Sequence, residues 1–180
     1  MNHADVVSAR VRARLTVAAA AAVVGCTASL ALSPARASTI TWQGTAGGMD
    51  WAPPAHWSPT GPPAAGDTAV LGNTGIGTID LGGVARQIDT LKVSNSNFGQ
   101  YSFSNGSFVL NNIAVTTSAG ASIPVPVAAA GPDLTLQNAS NAQFLTLSGS
   151  ITTQNLTVGG QSVRLSGTNT FTGTVTANGG

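Results

Sequence analysis

Three triplets, Leu134-Thr-Leu136, Leu145-Thr-Leu147 and Leu156-Thr-Val158, start eleven residues apart, and this spacing limits the possible folds more than any other feature of the chain. Each triplet places two apolar side chains on one face of a strand and a threonine on the other. Eleven residues are too few for a complete solenoid coil but enough for one strand and its turn. Stacked units of this kind bury an apolar column that no single unit could bury alone. An antiparallel sandwich produces the same alternation at the same spacing. The spacing therefore leaves a parallel β-helix and an antiparallel β-sandwich both open.

The rest of the chain after Ser38 is also strand-like. Thr68-Ala-Val-Leu71, Gly77-Thr-Ile-Asp-Leu81, Ile88-Asp-Thr-Leu-Lys-Val93 and Tyr101-Ser-Phe103 alternate apolar with small or polar residues, and Gly, Asn or Ser separates them. No stretch there combines Leu, Glu, Lys, Gln and Arg at a 3.6-residue period, and glutamate is missing from the whole chain. Asn105-Gly106 is a turn signal that fits either a two-stranded hairpin or a corner between coils. In Ile123-Pro-Val-Pro-Val-Ala-Ala-Ala-Gly-Pro132 two alternating prolines remove ladder donors, and the piece is expected to be an edge strand or an extended crossing loop rather than a central strand. It reads as an irregularity within one domain, because the length after Ser38 suits a single core.

The first 37 residues are expected to be a cleaved signal peptide. Arg10, Arg12 and Arg14 supply the charged start, Leu15 to Leu32 the apolar run, and Ala35-Arg36-Ala37 the small residues of a cleavage site, which places the cut between Ala37 and Ser38. The segment ending in Cys26 is a loose lipobox, and acylation at Cys26 with a lipoprotein facing the periplasm is the alternative. Both routes export the chain through the export machinery. Beyond Ser38 three basic residues (Arg86, Lys92, Arg164) face five acidic ones (Asp50, Asp67, Asp80, Asp89, Asp133), so the formal +1 of the whole chain belongs to the leader. So few charges argue against nucleic acid as a partner and against anionic membrane surfaces. With no cysteine after Ser38, the domain depends on packing and hydrogen-bond ladders.

Candidate chemistry is sparse. His56 is the only histidine after Ser38, and a Ser/His/Asp triad would need distant partners of no motif. One histidine and scattered aspartates have no metal-ligand spacing, and no cofactor is expected. A pectate-lyase-like reaction would need clustered Asp with Lys or Arg; Asp89 with Lys92 is the nearest approach and reads as an ion pair. The expectation is a protein that is not an enzyme. Trp42, Trp51 and Trp57 form the one aromatic concentration. They are candidates for stacking on sugar rings, with capping the end of a stack as the competing and preferred role.

Trp42-Gln-Gly, Asp50-Trp51, His56-Trp57-Ser58 and Gly61-Pro-Pro-Ala-Ala-Gly-Asp-Thr-Ala-Val-Leu71 resemble the opening of autotransporter-associated β-strand repeat proteins. Leu165-Ser-Gly-Thr-Asn-Thr-Phe-Thr-Gly-Thr-Val-Thr-Ala-Asn-Gly-Gly180 is similar to that family's repeat, with Phe171 where Tyr is usual and Val175 at a usual Thr position. The resemblance implies a right-handed parallel β-helix passenger at a Gram-negative cell surface or outer membrane. It further implies a structural role related to adhesion, with surface glycans or neighbouring or host cells as partners. One full repeat is visible, and the translocator barrel expected of the family is not in this chain. The expected organisation is a signal peptide at 1–37, a Trp-rich cap at 38–66 and a β-solenoid at 67–180 ending in one repeat at about 165–180.

Overall fold

The computed structural model describes residues 37–179 except 45–48, 60, 98, 117, 119, 140 and 141. The expected signal peptide, apart from Ala37, and Cys26 lie outside the described residues.

The chain winds as a parallel β-solenoid, which decides between the two architectures left open by spacing. β1 (Thr39–Trp42) starts the stack, and the short β2 (Trp57–Ser58) folds back antiparallel to it. β3 (Thr68–Leu71) and β4 (Thr78–Gln87) form the first complete coil, and β5 (Thr90–Val93) and β6 (Gln100–Leu110) the second. The third comprises β7 (Asn112–Val115), β8 (Gly120–Ile123) and β9 (Val127–Ala129), and the fourth β10 (Asp133–Asn138), β11 (Leu145–Leu147) and β12 (Ile151–Thr153). β13 (Asn155–Gly160), β14 (Val163–Leu165) and β15 (Asn169–Phe171) complete the fifth, and β16 (Val175–Asn178) lies beside β13.

The coils have three faces. β1, β3, β5, β7, β10, β13 and β16 stack in parallel on the first. β6 bends, so its first half pairs with β8 on the second face and its second half with β9 on the third. Thr68 sits beside Thr90, and Thr90 beside Asn112, which sets a coil of 22 residues. The eleven-residue spacing is half of that coil. Leu134-Thr-Leu136 lies beside Leu156-Thr-Val158 on the first face, while Leu145-Thr-Leu147 falls on the second beside Ala121 to Ile123. In each of these strands the leucines point into the core and the threonine outward, because pleating alternates them and only one side of the wall is dry.

Two irregularities become corners. Asn105 takes a left-handed backbone (φ 52°) and Gly106 follows, turning β6 from one face to the next within a single coil. A Cβ on Gly106 would stand 2.6 Å from both Leu81 Cβ and Val84 O, so the corner packs against the coil before it. This is not a hairpin, since every partner of β6 is parallel. Pro124 and Pro126 lie between β8 and β9, where neither has a ladder bond to lose; Val125 between them is buried, and Pro126 O accepts from Phe108 N at 2.9 Å. The expected edge strand or crossing loop is therefore corrected: the proline stretch is a corner of the third coil, and Val127–Ala129 after it is a central strand between β6 and β12, because the prolines fall where no ladder bond is needed.

The core consists of apolar columns running along the stack. Ile40, Ala69, Leu91, Ile113, Leu136 and Val158 follow one another on the first face. Bulk is uneven along the axis. The aromatic rings Trp42, Trp51, Trp57, Tyr101, Phe103 and Phe108 fill the N-terminal coils, and aliphatic side chains, with the partly buried Phe171 in the last, fill the later ones. Phe103 and Phe108 meet edge-on across the interior, with ring centroids 5.0 Å apart.

Candidate functional site

The three tryptophans close the N-terminal end. Trp51 is held by a backbone exchange in which its N donates to Asp80 O at 2.9 Å and Asp80 N donates to Met49 O at 2.8 Å. From there its ring contacts Trp57 at 4.6 Å and Phe108 at 5.6 Å between centroids. Trp42 and Trp57 meet at 4.9 Å, and Trp57 Nε1 donates to Trp51 O at 2.7 Å. Trp42 and Trp51 are 0% exposed and Trp57 3%. Stacking on a sugar needs a free ring face, and these faces are covered by one another and by the core. The indole N–H groups of Trp42 and Trp51 have no hydrogen-bond partner among the described residues, a desolvation cost that the aromatic packing outweighs.

His56 belongs to the same closure. Its Nδ1 donates to Asp50 O at 2.7 Å, and its ring lies edge-on to Trp42. Asp80, in the glycine-flanked segment, accepts from Gly82 N at 2.6 Å and Asn105 Nδ2 at 3.1 Å, which makes it a corner brace. Burial lowers the pKa of the neighbouring Arg86 guanidinium from the ordinary arginine value, and the charge of Asp80 opposes that shift. Arg86 Nε donates to Leu81 O at 2.8 Å. The ion pair expected between Asp89 and Lys92 is replaced by hydrogen bonds: Asp89 accepts from Thr90 Oγ1 at 2.8 Å and Asn111 Nδ2 at 3.0 Å. The two residues are three apart along one parallel strand and its approach, so the lysine projects from the wall while the aspartate holds the corner.

Sequence reading by strand period missed a row of polar residues at coil period. Asp67, Asp89, Asn111, Asp133 and Asn155 recur every 22 residues, each at the corner that opens a first-face strand. Asn111 donates to Asp89, and Asn155 Nδ2 donates to Asp133 Oδ1 at 2.8 Å. Asn155 Oδ1 accepts from Thr174 N at 3.0 Å, which carries the row to the last strand. At the other end Asp67 accepts from Ala64 N at 2.9 Å and from Ser38 N at 2.8 Å. A side-chain amide beside Asp89 and beside Asp133 supplies the donor that a second carboxylate would lack, while Asp67 accepts from backbone N–H groups instead. The row breaks between Asn111 and Asp133, where Thr135 sits beside Asn112 and the step is one residue longer than its neighbours. Beside this step lies a cleft of about 340 Å³ lined by Asp89, Asn111, Gly131, Pro132 and Asp133, among others.

No protein-family profile, curated protein or solved structure matches the chain. Among the described residues no three His, Cys, Asp or Glu side chains converge as metal ligands, and no helix is long and apolar enough to cross a membrane. Chemically, the corner row clamps one coil to the next, and the tryptophan cluster seals an end. A second buried clamp is Asn138, stacked on Val115 where an apolar residue would continue the column. Its Nδ2 lies within reach of Gln143 O at 2.8 Å, Ser162 O at 3.4 Å and, closest, Gln161 O, so one amide ties two neighbouring coils.

Proposed function

We propose that the chain is an exported structural domain, a passenger-like β-solenoid that folds outside the inner membrane and presents adjoining segments at the cell surface, with adhesion as its use. The observation that carries this reading is the way each coil provides the complete template for the next. Parallel ladders run unbroken along the first face from β1 to β16, the polar corner row accompanies them except for one break between Asn111 and Asp133, and β16, within the repeat-like segment, supplies the last of this pattern. A wall of this kind gains stability by adding coils and presents mainly Thr, Ser and Asn outward, which suits an extended scaffold.

The contact between Ser38 and Asp67 supports the export half of the reading. Ser38 N lies 2.8 Å from Asp67 Oδ1, and Ser38 O accepts from Thr68 N at 2.8 Å. Removal of residues 1–37 would turn that amide into an ammonium already placed on a carboxylate, strengthening the bond that anchors the first strand. Ala37 and Ser38 are both exposed ahead of β1. Mass spectrometry of the chain produced in a Gram-negative host, after cell fractionation, tests the reading. Ser38 as the N-terminus of a periplasmic or surface product is expected, an acylated Cys26 would redirect it to the lipoprotein route, and an intact leader on a cytoplasmic product would overturn it.

A further inference from the structure

On the outer side of the second face, between β6, β11 and β14, lies a cleft of about 280 Å³ lined by Gln100, Phe144, Thr146, Ser162, Val163 and Arg164. Its size falls just below the usual range for small-molecule sites, roughly 300–1,000 Å³, and suits a small ring more than a large ligand. Phe144 is 62% exposed, the most exposed large apolar side chain among the described residues. Its backbone is fixed although its ring is free. Phe144 O accepts from Ala121 N at 3.2 Å, and the next residue's N donates to Ser162 O at 3.1 Å. The ring is therefore presented from a rigid wall, which reduces the ordering cost of binding.

Arg164 stands beside it on β14, exposed, with no hydrogen-bond or ion-pair partner among the described residues. Arg86, by contrast, is engaged with Leu81 O and held near Asp80. The cleft thus combines one apolar ring face, one free planar cation and a rim of hydroxyl and amide groups from Thr146, Ser162 and Gln100. A guanidinium in this position favours a carboxylate, which it can grip through two parallel bonds. A flat ring among hydroxyl-binding groups favours a partner with one apolar face and several hydroxyls. A sugar acid joins these properties in one molecule.

We propose that this cleft binds a uronic acid unit of an acidic polysaccharide, with Phe144 under the sugar ring and Arg164 on its carboxylate. The site is separate from the tryptophan cluster, and it stands or falls independently of the export route.

Titration calorimetry on the full 180-residue chain tests this, using a β-1,4-mannuronate oligomer as probe and a β-1,4-mannan oligomer of equal length as its uncharged counterpart. The expected result is binding of the mannuronate oligomer alone, weakened by salt, and reduced about tenfold or more in Phe144→Ala and in Arg164→Gln, as loss of a charge-assisted contact implies. Lys92→Gln, which removes the same charge from the first face, is expected to bind as the parent does. Both cleft positions are exposed, and unchanged melting of the two variants confirms that the fold is intact. Equal binding of mannan and mannuronate, undiminished binding by both cleft variants, or no binding of the mannuronate oligomer would each overturn the proposal. Monomeric mannuronate separates the sources: binding weaker than that of the oligomer supports the polymer, and equal binding overturns the polymer in favour of the free sugar.

Discussion

The first and the last described coils of the solenoid cover their dry interior differently. A stack of coils has a dry interior, and its terminal layers lie open unless something covers them. At the N-terminal end β2 folds back across β1, three tryptophans fill the opening, and His56 closes the side. At the C-terminal end β16 is exposed along its whole length, Val175 is 54% exposed, and Val163, Leu165 and Phe171 are only partly covered. Closure takes large aromatic area and an antiparallel turn; continuation takes only a strand in register. The difference teaches that the regular repeat alone never seals a coil, since repetition always leaves one more face to cover.

The largest expected effect is at the sealed end. Trp51→Ala removes a fully buried ring that touches Trp57 and Phe108, and about 3–5 kcal/mol of stability should be lost, read from the urea midpoint and slope. A loss below about 1 kcal/mol would show that the cluster is an ornament on a wall stable without it.

The next effect depends on pH. Tyr101, the chain's only tyrosine, places its hydroxyl 2.5 Å from Thr74 O and 2.9 Å from Gly72 O, tying the second coil to the first, and burial pushes its pKa up to about 12. The folded phenol holds its proton more tightly than the unfolded one, whose pKa is about 10. Its contribution is therefore complete below pH 10 and is lost as pH rises from 10 through 12. Phenolate absorbance should titrate near 12 in the folded protein, and Tyr101→Phe should flatten the alkaline fall of the urea midpoint. A midpoint near 10 for the folded tyrosine would remove this tie from the account.

A smaller effect tests the clamps. Asn155→Ala deletes the bonds to Asp133 and Thr174 at the last complete coil and should cost about 1 kcal/mol, with hydrogen exchange accelerated in β16 before β5 responds. Equal acceleration in both strands would mean that the stack opens as a unit and that its ends do not differ. The smallest effect is expected from Val175→Ala at the open end, within about 0.5 kcal/mol in a melting experiment. A loss comparable to that of Trp51→Ala would erase the contrast between the ends.

Much of the wall was legible in the chain. Leu134-Thr-Leu136 and its two successors announced strands with one dry face, and the absence of helical periodicity in the region after Ser38 agrees with the structure. Asn105-Gly106 announced a bend, but hairpin and corner share the same local chemistry, and only the parallel partners of β6 separate them. Candidate sites were less legible. Trp42, Trp51 and Trp57 look alike in a sequence whether their faces are wet or dry, and Asp89 beside Lys92 suggests an ion pair until the strand places Asn111 against the aspartate. The corner row was present all along at an interval of 22 residues, yet that interval means nothing before the coil length is known. Phe144 and Arg164 are twenty residues apart and carry no motif, and they meet only because one coil returns above another.

By itself, then, the sequence determined the local state of the chain: strands with one apolar face, turns at Gly, Asn and Pro, and a composition poor in charge. Those properties follow from interactions within a few residues, where pleating and backbone sterics act directly. Tertiary structure decided the parallel pairing, the coil of 22 residues, the burial of the tryptophans and the convergence in the outer cleft. These depend on which strand lies beside which. That choice is made by the collective burial of columns running along the whole stack, a quantity no local segment contains.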